Sequence, residues 1–183
     1  MMSMLEHALG YAARGWAVFP AWGITNGACD CGKHNCASPG KHPIPRNGVN
    51  EASADAEAVA QWWNAYPNAN IAIATGQPSG IVVLDIDVGS GKPGFESLAA
   101  LEAKHGKLSR SCTVRTGSKG LHLYMAAPSQ SLRNSVGKIA EAIDLRAEGG
   151  YVIAPPSRHL SGNTYEWGSY DSCSHPPLGV RRQ

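Results

Sequence analysis

Residues 23–50 are rich in Gly, Cys and Pro and carry no hydrophobic period, within a chain of 183 residues. A structureless loop of that length is uncommon inside a compact domain, because ordering it costs conformational entropy that no apolar burial returns. Something else has to hold it. The segment ACDCGKHNCASPGKHP supplies a candidate: Cys29, Cys31 and Cys36 stand close together, with His34 and His42 beside them. Thiolates and imidazole at such spacing suit a tetrahedral structural Zn²⁺, and metal–ligand bonds offset the ordering cost. The zinc loop is placed at about residues 27–43. Its fourth ligand is His42, in C-x-C-x4-C-x5-H, with His34 as the alternative. A disulfide is disfavoured in a reducing compartment, and three incidental thiols are the remaining rival. Cys112 alternates with Val114 and reads as a small buried hydrophobe. Cys173 stands alone.

Outside the loop, apolar residues have clear periods. Ser3 to Arg14 reads as a helix stopped by Gly15, and Trp16 to Phe19 as a strand ended by Pro20. Ser53 to Tyr66 reads as a second helix, with Ser53 or Asp55 as N-cap and Pro67 beyond its end. Asn70–Thr75 and Gly80–Asp87 are strand-like, and Phe95–His105 is a helix closed by Gly106. Cys112–Arg115 and Leu121–Met125 form a hairpin across TGSKG. Ala142–Arg146 and Tyr151–Ala154 read as another, across AEGG. Tyr165–Trp167 is a last short strand. A helix and strand, then strands with intervening helices, then hairpins, predict an α+β domain on a mixed or antiparallel sheet. The expected catalytic domain spans residues 1–170, followed by a polar, Pro-rich linker or tail at 171–183.

The hydrophobic fraction is 43% and charged residues are 16%, enough for a core and unlike a disordered chain. No apolar run reaches the roughly 18 residues of a membrane span. The N-terminal helix carries Glu6 and His7, which does not suit a secretory signal, so a cytoplasmic setting with no membrane partner is expected. A net charge of +2 does not by itself argue for nucleic acid. Its distribution says more. Between Glu51 and Glu102 acidic residues dominate, and between Lys107 and Arg146 basic ones do. That asymmetry pairs an acidic region for metals with a basic surface for phosphates, or is two solvated faces of opposite sign.

Asp85-Ile86-Asp87 ends an apolar run. On a strand, residues two apart face the same way, so the two carboxylates project together. Like charges so placed repel, and make sense when a hard cation such as Mg²⁺ or Mn²⁺ bridges them. On that view, removing one charge relieves repulsion in the metal-free chain. Asp144 and Arg146 share a face of their strand, as a surface ion pair or as a third metal ligand with a phosphate clamp. In RTGSKGLHLYM, Leu121 and Leu123 alternate with His122 and Tyr124, which puts His122 opposite the leucines. The TGSKG turn offers free backbone N–H groups, with Arg115, Ser118 and Lys119 at hand for phosphates.

The order of these pieces resembles the bifunctional DNA primase/polymerase (prim-pol) domain of the archaeo-eukaryotic primase superfamily, found in plasmid, phage and prophage replication proteins. The resemblance runs from about Ala8 to Trp167, through YAARGWAVFP, CDCGKHNCASPGKHP, WWNAYPNANIAIATG, SGIVVLDID, RTGSKGLHLYM, IDLRAEGGYVIAPPS and SGNTYEW. It implies an RRM-like catalytic palm beside an N-terminal αβ unit. Asp85 and Asp87 match the family's D-x-D, Asp144 its third acid, and His122 the histidine on the incoming nucleotide's phosphates. The superfamily often has Ser two residues before this His; here Gly120 stands there, with Ser118 near. The implied chemistry is two-metal nucleotidyl transfer on single-stranded DNA with dNTPs or NTPs. Arg146 and Lys119 or Arg115 then hold the triphosphate, and a helicase usually lies further along a longer chain. Single-stranded DNA is expected along the Lys107–Arg146 half. Two other classes fit the same residues: a zinc-containing single-stranded nucleic-acid-binding module without catalysis, and a metal-dependent nuclease.

Overall fold

A computed structural model describes residues 2–108 and 112–168. The tail at 171–183 with Cys173, the expected domain end at 170, and Arg110 lie outside the described residues. Helix α1 spans Met4–Ala12. Ser3 caps it reciprocally with Glu6, each side chain satisfying a backbone N–H of the other. Helix α2 spans Ala56–Ala65, and Asp55, not Ser53, is its N-cap through Ala58 N–H. Helix α3 spans Gly94–His105. The buried positions Ala8, Tyr11 and Ala12 of α1, and Val59 and Trp63 of α2, are three or four apart, so each helix turns one apolar face inward.

The small sheet holds β1 (Val18–Ala21), β4 (Asn70–Ala74) and β10 (Tyr151–Ala154), in the order β1-β4-β10. The large sheet holds β5 (Ile81–Ile86), β6 (Cys112–Arg115), β7 (Leu121–Ala126), β8 (Ser135–Ala140), β9 (Ile143–Arg146) and β11 (Glu166–Trp167), in the order β11-β6-β7-β5-β9-β8. A hairpin of β2 (Ile24–Thr25) and β3 (Ala28–Cys29) lies in the loop expected to be structureless. Every one of these ladders is antiparallel. Within the large sheet, α3 carries the chain from β5 to β6, with β7 between them: a split β-α-β unit. The observed fold is α+β, as its helices and strands predicted.

Three local expectations change. Pro20 does not end its strand; it sits inside β1, an edge strand, where its missing N–H costs no ladder bond. Strands β9 and β10 are not a hairpin. The AEGG turn passes the chain from one sheet to the other, because Thr75 captures it: the Thr75 hydroxyl donates to Ala147 O and its N–H to Gly150 O. Strand β8 was not foreseen. Most of its residues are exposed, and Gly137 at φ +61 breaks its pleat.

The large sheet is buried on both faces. One face, with Ile81, Val83, Val114 and Tyr124, joins Trp16, Phe19, Trp63, Ile71 and Ile73 in the main core against α1, α2 and the small sheet. The other, with Leu84, Ile86, Leu123 and Ile143, packs on Leu98 of α3. Each fully buried large side chain contributes about 1.5–3 kcal/mol. Asp85 and His122 alternate with the second set, and therefore point between the two sheets. Among the described residues, no helix is long and apolar enough to cross a membrane.

Candidate active site and Cys/His cluster

Strand register places the site. Asp85 on β5 lies opposite His122 on β7 and opposite Asp144 on β9, so the three form a row across adjacent strands. Asp87 follows the end of β5, where its N–H donates to Ala142 O at 2.9 Å. The row opens on a cavity of about 290 Å³ between the two sheets. Asp85, Asp87, His122 and Arg146 line one side, Thr116 and Ser118 the rim, and Tyr151 to Ile153 of β10 the other side. Asp144 stands behind Arg146, outside the lining.

The carboxylates are not left to repel one another. Arg146 Nη2 donates to Asp85 Oδ2 (3.1 Å) and to Asp144 Oδ2 (2.8 Å). Asp144 Oδ1 also accepts from Gly137 N–H at 2.9 Å. Lys92 Nζ lies 2.8 Å from Asp87 Oδ2. His122 Nε2 is 3.4 Å from Asp85 Oδ1. Burial alone would raise the Asp85 carboxyl, but the hydrogen bond and charge of His122 and the Arg146 guanidinium hold it well below the usual carboxylate range. The site therefore keeps Asp85 ionised by placing Arg146 and His122 against it. His122 is almost fully buried, and its Nδ1 has no hydrogen-bond partner. A buried polar atom left open is uncommon in a resting core and is found at functional sites. Tyr165 packs its ring near both His122 (6.0 Å) and His159 (6.1 Å).

The TGSKG turn is shaped by two close approaches. A Cβ at Gly120 would sit 2.3 Å from Ile86 O, so the position before Leu121 has no room for a side chain. The hydroxyls come instead from Ser118 and Thr116, 3.0 Å apart and both on the cavity. A Cβ at Gly117 would sit 2.1 Å from His159 Cβ, which locks the turn against the 158–164 segment. Gly120→Ala is expected to cost about 1–3 kcal/mol through overpacking, read as a lowered denaturant midpoint with an unchanged slope. An unchanged midpoint would mean that the turn gives way freely.

The basic candidates separate. Arg146 is on the cavity. Arg115 is not: it pairs opposite Leu121, on the face away from His122, and its guanidinium is bonded to Glu166. Lys119 is exposed at φ +70 and does not line the cavity. Lys107, Arg133 and Lys138 are exposed. Sequence reasoning missed Lys41, Thr116, Tyr151 and Tyr165, which reach the cavity from segments far apart in the chain.

Beside this site the Cys/His loop folds on itself. The ligand atoms of Cys29, Cys31, Cys36 and His42 all lie within 4.8 Å of one another. Cys36 Sγ and His42 Nδ1 are 3.6 Å apart. The Lys33 backbone N–H holds the Cys31 thiol below its ordinary value, while burial raises Cys29. Three thiols and an imidazole that converge this closely fit the donor set and spacing of a tetrahedral zinc site. His34 is outside the group: its Nδ1 lies against the Asn35 side chain, 3.2 Å away.

The family model for the N-terminal domain of bifunctional DNA primase/polymerases, Prim-Pol, matches residues 8–178. The chain belongs to this family. Among curated proteins, no sequence matches it. Prim-Pol membership implies nucleotidyl transfer as DNA primase or polymerase, with DNA and nucleotides as substrates and a divalent metal in the reaction. The acids and the cavity described above lie within the matched residues.

Proposed function

We propose that this Prim-Pol domain joins nucleotides to a 3′-hydroxyl on a single-stranded DNA template, with Asp85, Asp87 and Asp144 holding Mg²⁺ or Mn²⁺. The observation that carries this reading is the row Asp144–Asp85–His122 across three strands, with Asp87 just past the end of β5, beside a cavity between the sheets. The hard oxygen donors suit these ions. Arg146 and Lys92 mark where positive charge already resides against the acids. Divalent ions, when held by these carboxylates, would supply Lewis-acid activation of the attacking hydroxyl and charge neutralisation of the triphosphate. The chain's own groups do the positioning. His122 turns from Asp85 to a phosphate oxygen, Arg146 clamps a second, and the Ser118 and Thr116 hydroxyls hold the rim. The strand order β6-β7-β5-β9 around a split β-α-β unit supports an RRM-like palm. Service in a plasmid, phage or prophage replicon belongs to the same proposal, as does a helicase region in a longer chain.

The test is incorporation of labelled dNTPs and NTPs on primed and unprimed single-stranded DNA, with Mg²⁺ and with Mn²⁺. Template-dependent products are expected. Shortening of DNA without any nucleotide requirement would assign a nuclease instead. Salt-sensitive DNA binding with no product under any condition would assign a binding module.

A further inference from the structure

The Cys/His loop does more than close on itself, because it brings Lys41 to the cavity that Asp85 and His122 line. Lys41 lies between two of the cluster residues, Cys36 and His42, and is itself on the cavity lining with Asp85 and His122. Its backbone is fixed on both sides. Three consecutive carbonyls are held: Gly40 O accepts from buried Asn70 Nδ2 (2.8 Å), Lys41 O from Tyr151 Oη (3.1 Å), and His42 O from Trp22 N–H (3.0 Å). Gly40 adopts φ +72, and a Cβ there would sit 2.8 Å from Ile24 Cγ1, so this approach requires glycine. The Lys41 backbone is thus fixed by the loop and by all three strands of the small sheet or their ends, and it carries an exposed side chain at the cavity.

Its charge is also uncommitted. Arg146 and Lys92 are occupied by the acids, and Arg115 by Glu166. Lys41 has no carboxylate partner among the described residues. It stands close enough to His159, which packs on the TGSKG turn at Gly117, to help burial lower that imidazole. An unpaired ammonium on a pre-fixed backbone, facing a cavity whose other side is carboxylate, is suited to an anion bridged to those carboxylates through metal.

We propose that Lys41 binds the phosphates of the incoming nucleotide, so that an intact Cys/His cluster sets nucleotide affinity as well as loop order. This rests on the nucleotidyl-transfer reading above. It also assigns the loop to the nucleotide rather than to the template alone.

The experiment measures dNTP binding directly, with a fluorescent dATP analogue and Ca²⁺ in place of the catalytic ion, for wild type, Lys41→Ala, Lys41→Arg, Arg46→Ala and Cys36→Ser. Single-stranded DNA affinity and thermal midpoint are recorded alongside. Lys41→Ala should weaken dATP binding about tenfold or more, leave DNA affinity within about twofold, and keep the wild-type midpoint. Lys41→Arg should restore most of the loss. Arg46→Ala removes an exposed charge from the same loop outside the cavity and should bind dATP as wild type does. Cys36→Ser should lose its zinc and weaken dATP as Lys41→Ala does, and the double variant should lose no more than either alone. If Lys41→Ala binds dATP like wild type, or if Arg46→Ala weakens it equally, the assignment is overturned while the nucleotidyl-transfer reading stands. If wild type itself binds no dNTP, both fall.

Discussion

Asp85→Asn and Asp144→Asn are each expected to reduce nucleotide incorporation by 10²-fold or more, to the level of background, in a protein that still folds. Each substitution keeps shape and removes one negative charge from a place where metal and triphosphate charge must be balanced, and losing one such electrostatic element typically costs about 10²–10³ in rate. The two positions differ in what else they hold. Asp144 gives one oxygen to Gly137 N–H and the other to Arg146. Asp85 accepts from Arg146 and faces His122. Repulsion between Asp85 and Asp87, expected from their spacing, is not what the folded chain contains. Each already has its own cation, so removing Asp85 forfeits attraction. Asp85→Asn should therefore be less stable without metal than wild type, by about 1–3 kcal/mol for a lost charge-assisted hydrogen bond. The pH dependence follows from sign. The folded Asp85 carboxyl is held below its unfolded value near 3.9. Its contribution is complete above that value and is lost as pH falls through the folded one. The gap in thermal midpoint between wild type and variant should be full at neutrality and close in acid. Primer extension with Mg²⁺ or Mn²⁺, and melting from pH 7 downward, read both effects. Wild-type incorporation by either variant would remove that residue from the metal site, and a variant that melts above wild type at pH 7 would restore the repulsion account.

What the sequence made legible was local. Alternation in Leu121–Tyr124 and in Ile81–Asp87 puts His122 and Asp85 on one face, and the structure places them opposite each other in register. The same alternation, carried one step further, would have removed Arg115: in a hairpin where Val114 pairs with His122, Arg115 must share the leucine face. The helices were readable because their caps and apolar spacing are short-range. The failures are of partner choice. AEGG has the composition of a hairpin turn, but Thr75, far earlier in the chain, takes its Ala147 carbonyl and Gly150 is bound to the same residue. No local pattern encodes that competition. Strand β8 has neither alternation nor burial to announce it. Lys41 reads as one charge in a polar loop until the small sheet is folded beneath it. Gly120, which looked like a departure from the superfamily's Ser, is explained by distance alone: Ile86 O occupies the space a side chain would need.

Protein purified without chelator is expected to carry one zinc per chain, and losing it should unfold the loop without unfolding the domain. The distinction follows from what else holds each part. Residues 25–39 contain no fully buried side chain, so no apolar core stabilises them without metal. Beyond the two-residue β2–β3 ladder that ends at the Ile24–Cys29 pair, the backbone of residues 29–39 makes short turn contacts such as Gly32 N–H to Cys29 O at 3.3 Å, beside the link from Asp30 N–H to Gly23 O. By contrast, Trp16, Phe19, Trp63, Ile71 and Ile73 pack independently of the loop. A structural zinc site can supply on the order of 10 kcal/mol to a fold that depends on it wholly. Here local unfolding caps the penalty at the bonds coupling the loop to the sheet. The three carbonyls of residues 40–42 account for about 2–4 kcal/mol at 0.5–1.5 kcal/mol each. At roughly 2–4 °C per kcal/mol for a domain of this size, Cys36→Ser should lower the thermal midpoint by roughly 5–15 °C and leave the helical circular dichroism intact. Amide exchange should lose protection across residues 27–42 and keep it in β4 and β5. Elemental analysis is the first check, with His42→Ala losing the metal and His34→Ala keeping it. Zinc absent from wild type removes the metal from the account. Zinc retained by His42→Ala and lost from His34→Ala would exchange the fourth ligand. Global unfolding of Cys36→Ser would show that the small sheet depends on the loop, and that the carbonyl clips at Asn70, Tyr151 and Trp22 couple more strongly than three ordinary hydrogen bonds.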